Sequence, residues 1–363
     1  MIRKIILLLF IVWNVSLFPA EKKKPAGPQK KKETGAELIS ERKSVEDDIR
    51  DAYIDFLENG DVGSLYAVFV RGKTKIYEVN AGLDIKAPAG LASVTKHITS
   101  LILLKLSERG LLKISDPVDK YLPGVYSESQ YVMNRKLTVR DLLTHRSGIP
   151  YEGPKSSFMY TLEEKEFNPP ELNSVPGKKY QYSNYNYSMA GKIIEVVTEK
   201  PLWQNFRDEI FEPLEIEDYQ FVNSFDGSTG LHIPPVYLFR IERMIENMGV
   251  WKGKRILEKS SLKKLFLPPK KNKTGFYYGL GLHIFKRGKN VEAYHHNGVG
   301  DNLFTHMQIL PLKSEIVFFH FTLPDMNIKV RNILSEKLVK LFYKLRILEE
   351  KIIKFRKKNR IKS

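Results

Sequence analysis

The sequence predicts an α+β fold: one antiparallel sheet flanked by N- and C-terminal helices, plus a mostly helical lobe. Three observations carry that reading. Strand-like segments cluster towards the two ends of the chain, at 64–82 and 276–322. Helical patterns and loops dominate from residue 93 to about 265. Amphipathic helical patterns precede the first strands and follow the last. The simplest compact arrangement pairs early and late strands in a single sheet, with the first and last helices over one face. The central block then forms a second lobe, and a cleft lies between the two.

The chain opens "MIRKIILLLFIVWNVSLFPAEKKK". Arg3 and Lys4 precede an apolar run shorter than the ~18 residues needed to span a bilayer, then Pro19-Ala20 and a polar stretch. Residues 1–20 therefore read as a signal peptide cleaved after Ala20, although Phe18 is bulkier than such sites favour. An uncleaved N-terminal membrane anchor is the alternative. Residues 21–37, charged and poor in large apolar side chains, read as a disordered basic linker. Ile39, Val45, Ile49, Tyr53, Ile54 and Leu57 follow at helical steps that stop at Gly60. "SLYAVFVRG" and "TKIYEVNAG" form a hairpin around Arg71-Gly72-Lys73. The late strands are expected at 276–285, 291–298, 303–310 and 315–322, and the segment 327–350 as an amphipathic helix. The folded domain is placed at 38–325, with its helical lobe at about 93–265; residues 326–363 form a C-terminal helix and basic tail.

Charge and composition exclude several functions. The formal charge is +17, but residues 1–36 hold eight Lys/Arg against two acids and residues 336–363 eleven against three. Only +3 remains between them, so the basicity belongs to the tails and not to a binding face. Nothing reads as a nucleic-acid motif, and no nucleic-acid partner is expected. The tails fit association with a membrane surface or with cell-wall polymer. The chain has no cysteine, which excludes disulfides, thiolate catalysis and Cys-ligated metal. His295 and His296 point to opposite faces of a strand, so with His306 they make no metal site. No cofactor is implied.

The candidate chemistry lies in "LASVTKHITSLILLKLSERG", residues 91–110. Ser93 and Lys96 are three apart, on one face of a helix that turns apolar after His97. A serine hydroxyl needs a neighbouring base, and a lysine serves only if burial or another cation lowers its pKa. The helix N-terminus also offers N–H groups to a developing oxyanion. Alone, S-x-x-K occurs by chance in many chains, with the serine as a helix cap and the lysine solvated.

Two further stretches change that weighing: Tyr182-Ser183-Asn184 ahead of another helical pattern, and His296-Asn297-Gly298 within the late strands. With these, the chain resembles the serine beta-lactamase-related superfamily, which comprises class C beta-lactamases, DD-peptidases and esterase-like hydrolases. Its S-x-x-K, Y-x-N and K-T-G or H-x-G elements occur in that order. The stretches 111–124, 137–150 and 176–184 add to the likeness, which covers roughly residues 45–325.

The resemblance implies a beta-lactamase/transpeptidase-like fold with Ser93 as acylated nucleophile and Lys96 taking or relaying its proton. Tyr182 would be the other general base, its phenol made acidic by flanking cations. Asn184 would orient Lys96 or the substrate. Gly298 would let the substrate backbone approach, and the N–H groups of Ser93 and Val299 would form the oxyanion hole. His296 and Asn297 line the same strand but depart from the pattern. His296 replaces a lysine that holds a carboxylate in beta-lactamases, and histidine is mostly neutral near pH 7 (ordinary pKa ~6.5). Asn297 stands where Thr or Ser is usual.

The expected protein is thus an exported serine hydrolase of the periplasm or cell envelope, acting on a small-molecule or peptide ester or amide, cell-wall peptide included. A catalytically weak penicillin-binding-like protein and a true beta-lactamase are the alternatives. The sequence leaves the oligomeric state open.

Overall fold

The computed structural model describes residues 33–126, 136–151, 170–222, 225–268, 275–300, 302–325 and 327–360. The segment read as a signal and most of the linker lie outside these residues. Helix α1 (Gly35–Glu58) starts at a capping box, in which Glu37 N–H donates to Thr34 Oγ1 and Thr34 N–H to Glu37 Oε2. Strands β1 (Ser64–Arg71) and β2 (Thr74–Ala81) form the expected hairpin.

The lobe begins after the two-residue strand β3 (Ala89–Gly90) with α2 (Thr95–Glu108). It continues through α3 (Val139–Leu143), α4 (Tyr185–Thr198), α5 (Leu202–Phe206), α6 (Pro235–Glu246) and α7 (Lys259–Leu265). Within it, β4 (Gln220–Phe221) and β5 (Leu231–Ile233) join β3 in a small sheet, and β6 (Val250–Trp251) pairs with β7 (Lys254–Arg255). These short strands carry too few residues for a visible alternation.

The main sheet is completed by β8 (Gly275–Tyr278), β9 (His283–Arg287), β10 (Asn290–Val299), β11 (Leu303–Leu310) and β12 (Glu315–Thr322). Its order is β2-β1-β12-β11-β10-β9-β8, with antiparallel neighbours throughout. The expected single strand at 276–285 is two strands, because the chain reverses at Gly279–Leu282. Gly281 has φ of +77°, and a Cβ there would lie 2.8 Å from the Lys96 carbonyl oxygen. The turn thus presses directly on α2.

Strand β1 shows why the sheet sits in the middle. Leu65, Ala67 and Phe69 face α1 and the long helix α8 (Ile328–Arg360), while Tyr66 and Val68 face the lobe. Both sides are covered, so the strand reads as a continuous apolar run. Helices α1 and α8 pack on each other over that outer face. Gly35 approaches the Phe355 ring and Lys351 pairs with Glu33 at 2.6 Å, which sets the start of α1 beside the last turns of α8.

Helix α2 runs through the interior, buried at every position from Thr95 to Leu104. Its polar groups must therefore find partners inside the protein. His97 meets Glu242 of α6 at 3.2 Å, and Tyr294 of β10 donates to the other oxygen of Glu242 at 3.1 Å. This contact joins α2, α6 and β10. Glu242→Ala is expected to destabilise the protein by about 2 kcal/mol, the scale for leaving the buried Tyr294 hydroxyl without its acceptor. A denaturation midpoint unchanged from wild type would contradict that.

Candidate active site

The chain enters α2 through a tight turn over Ala92–Val94 that presents Ser93. Ala92 adopts φ of +43°, a left-handed conformation costing an alanine about 1 kcal/mol. The helix makes no side-chain cap bond at its start, so Ser93 is not its cap. Its hydroxyl is half-buried and turned towards Lys96.

Lys96 is completely buried. Its Nζ lies 3.0 Å from Ser93 Oγ, 2.8 Å from Asn184 Oδ1 and 2.8 Å from the Ser228 carbonyl oxygen. Burial pulls the amine down to about 7, against the opposing pull of Asp226. Near neutrality much of it is therefore free base. Two of its three partners are carbonyl-type oxygens, which can only accept. They hold the two N–H groups of the neutral amine and leave its lone pair for the Ser93 hydroxyl.

Tyr182 shares a hydrogen bond with Ser93, and its ring centroid lies 5.1 Å from Lys96 Nζ. Its phenol departs from the expected acidity. Desolvation pushes it above the usual tyrosine range, and the bond to Ser93 offsets this only in part. The resting group is a neutral phenol and a proton donor.

His145 holds the segment that carries Tyr182. Its backbone carbonyl accepts from Gln181 N–H at 2.8 Å, and its Nδ1 accepts from Ser183 N–H at 3.3 Å and pairs with Asn186 Nδ2 at 2.9 Å. The imidazole lies 4.2 Å from the Tyr182 ring, and burial keeps it neutral. The residues on both sides of Tyr182 are thus anchored to one histidine. Tyr187 is core, its hydroxyl donating to the Leu143 carbonyl at 2.8 Å.

On β10 the predicted residues divide. His296 is buried on the side of Tyr182, with Nε2 3.0 Å from Tyr278 Oη and Nδ1 2.8 Å from the Asn297 carbonyl oxygen. That carbonyl can only accept, so Nδ1 carries the proton and Nε2 accepts from Tyr278. Burial drives the ring well below the ordinary histidine pKa, so it supplies no positive charge. Asn297 does not join the site. Its Oδ1 accepts from His306 Nδ1 at 2.7 Å on the opposite face, as strand alternation requires.

Gly298 is needed for a reason other than the one expected. A Cβ there would lie 2.1 Å from the Leu91 carbonyl oxygen, so the glycine lets β10 close on the serine turn itself. The Val299 amide follows from ladder geometry. Gly300 N–H donates to the Leu303 carbonyl on β11, so Val299 N–H points the other way, past the last β9–β10 pair at His295.

Sequence reasoning missed Asp226 and Ser228. They lie in "FDGSTG", residues 225–230, which reads as an ordinary turn; a buried acid among hydroxyls has no local signature. Among the described residues, no group of three or more His, Asp or Glu could hold a metal, and no helix is long and apolar enough to cross a membrane.

A buried amine beside a serine at a helix start, on this α+β scaffold, is the chemistry of serine hydrolases of the beta-lactamase-related superfamily. Comparison with known proteins agrees. Residues 49–325 match the Beta-lactamase family model, and the chain belongs to that family. It is similar to D-alanyl-D-alanine-carboxypeptidase/endopeptidase AmpH of Escherichia coli (strain K12), at 28% identity over 197 residues. That match covers 49% of this chain and 51% of the relative, so the chain spans about half the length of AmpH. Among solved structures, the beta-lactamase/D-alanine carboxypeptidase of Yersinia pestis superposes with a TM-score of 0.63 at 19% identity, covering 84% of this chain and 99% of that one. The D-stereospecific amidohydrolase of Streptomyces sp. superposes with a TM-score of 0.61 at 21% identity, covering 82% and 98%. These two likenesses concern the fold.

Gly298→Ala is expected to push the serine turn off β10. Overpacking of this kind costs about 1–3 kcal/mol. Phosphonate labelling should slow by about tenfold or more, the equivalent of about 1.4 kcal/mol. Labelling at the wild-type rate would contradict the placement.

Proposed function

We propose that the chain is an exported serine hydrolase that forms an acyl-enzyme on Ser93, with an ester or amide substrate lacking a free carboxylate beside the scissile bond. The observation that carries this reading is the buried Lys96 amine, held by two acceptors with its third contact on the Ser93 hydroxyl.

In the proposed reaction Lys96 takes the Ser93 proton as Oγ bonds to the substrate carbonyl carbon. The N–H groups of Ser93 and Val299 receive the oxyanion. Tyr182 gives its proton to the leaving oxygen or nitrogen as that bond breaks, and the Lys96 ammonium restores it. A phenol held above its usual range suits a donor to a strongly basic alkoxide. Water then attacks the acyl carbon, losing its proton to the same groups. The acid departs, and Ser93 recovers its hydrogen.

Substrate class follows from charge. A penicillin or a peptide ending in D-alanine carries a carboxylate close to the bond that breaks, and neutral His296 offers it no cation. Neutral esters and amides suit the site better than such drugs, and cell-wall peptide is accessible only where its carboxylate is masked or distant. The same neutrality is the feature that favours a catalytically weak, penicillin-binding-like protein instead. Export would be directed by residues 1–20, cleaved after Ala20 or retained as an anchor. Glu33 at the start of α1 pairs with Lys351 near the end of α8, so the described ends of the two basic stretches lie side by side, which supports contact with an anionic membrane or wall surface.

An active-site phosphonate should label the wild-type protein and fail to label Ser93→Ala, with a short-chain ester hydrolysed and fluorescent penicillin captured poorly. Tyr182→Phe should lower ester turnover by about 100-fold, the scale of a lost acid–base group. Absence of labelling in the folded wild type would select the binding-protein reading. Rapid penicillin turnover would select a beta-lactamase.

A further inference from the structure

The seat of Lys96 extends beyond the reacting groups. Ser228, whose carbonyl takes one of its N–H bonds, folds back on Asp226. The Asp226 carboxylate accepts from Ser228 N–H at 2.8 Å, from Ser228 Oγ at 2.7 Å and from Ser188 Oγ of α4. Thr99 Oγ1 of α2 donates to the Gly227 carbonyl at 2.7 Å. Gly227 holds φ of +91°, and a Cβ on Gly191 of α4 would lie 2.4 Å from the Asp226 carbonyl oxygen. Residues 226–228 are thus wedged between two helices with little room to shift.

A buried carboxyl is a costly way to brace a turn, since an asparagine could take the same Oδ1 bonds without a charge. The groups facing Lys96 from the other elements are Ser93, Tyr182, Asn184, Tyr187, His145 and His296, and none is acidic; the phenols and imidazoles are kept neutral by burial. Among the described residues Asp226 is the carboxyl whose charge reaches the amine: burial pushes its own pKa up, and the bonds from Ser188 and Ser228 and the Lys96 charge oppose that.

We infer that Asp226 is a positioning residue for the Ser93–Lys96 pair: it holds the amine's seat through the Ser228 carbonyl and supplies the negative counter-charge in its pocket. The inference rests on the proposed role of Lys96 as the base. Burial and Asp226 then act on the lysine in opposite directions, burial lowering its affinity for a proton and the carboxylate raising it. With the charge removed the lysine loses its proton at lower pH, and the enzyme becomes competent at lower pH.

The test compares wild type with Asp226→Asn, which keeps the shape and the Oδ1 acceptor. The acidic limb of the kcat/KM–pH profile for ester hydrolysis should move to lower pH by about one unit, the low end for losing a nearby opposite charge. Ser188→Ala loosens the loop with the charge in place and should lower Tm without moving the limb. A folded Asp226→Asn whose limb coincides with that of wild type overturns the inference. If Asp226→Asn does not fold, Asp226→Ser and Asp226→Glu carry the comparison, the limb moving in the first and not in the second. A carbon-13 titration of the Lys96 ε-carbon, assigned through Lys96→Arg, reads the same shift without turnover. A shifted titration in a protein that hydrolyses nothing sinks the Ser93 reading and keeps Asp226. Turnover with equal midpoints does the reverse.

Discussion

Burying an amine is what the rest of this structure serves. A lysine ammonium taken out of water loses its hydration and tends to give up its proton unless partners replace what water supplied. Lys96 sits at the first turn of a helix enclosed on all sides, so those partners have to come from elsewhere in the chain. Asn184 arrives from the start of α4 and Ser228 from a loop some 130 residues beyond the lysine. The lobe is built to deliver them. His145 fixes the Tyr182 segment, Gly191 lets the 226–228 turn lie against α4, and Gly281 lets the β8–β9 turn press on α2 behind the amine. Each is a packing feature that touches no reacting atom, yet each bears on where one nitrogen rests.

The same enclosure decides the charges of the cleft. Desolvation keeps Tyr182 a phenol and His296 a neutral ring. It acts on Lys96 in the same sense but stops near neutrality, with Asp226 pulling the other way. One environment therefore separates a base ready to accept from a phenol ready to donate, which a two-step acyl transfer needs.

The architecture was legible because period-two and helical patterns report which faces are buried. The outer helices show the helical period, whereas β1, covered on both sides, shows as an unbroken apolar run. The 276–285 segment reads as one strand because its apolar residues continue on both sides of Gly279 and Gly281; only the approach of α2 shows that the chain reverses there. At the site, short-range motifs named Ser93, Lys96, Tyr182 and Asn184, and the fold brings these four together. What local sequence does not hold is direction and environment. Asn297 is one residue from His296 and so faces away, towards His306. The acidity of Tyr182 depends on how it is packed, not on its neighbours in sequence. Asp226 carries no motif, because its role exists only once α2 and α4 have closed on it.

The central claim is that Ser93 is activated by a lysine whose proton affinity burial has lowered to near neutrality. The most direct measurement is the pH dependence of the rate at which a neutral phosphonate inactivates the wild-type protein. The account predicts a rate that rises with pH through a single ionisation near pH 7 and is flat above pH 8. A rate that continues to climb towards pH 10, as an ordinary solvated lysine would give, contradicts it.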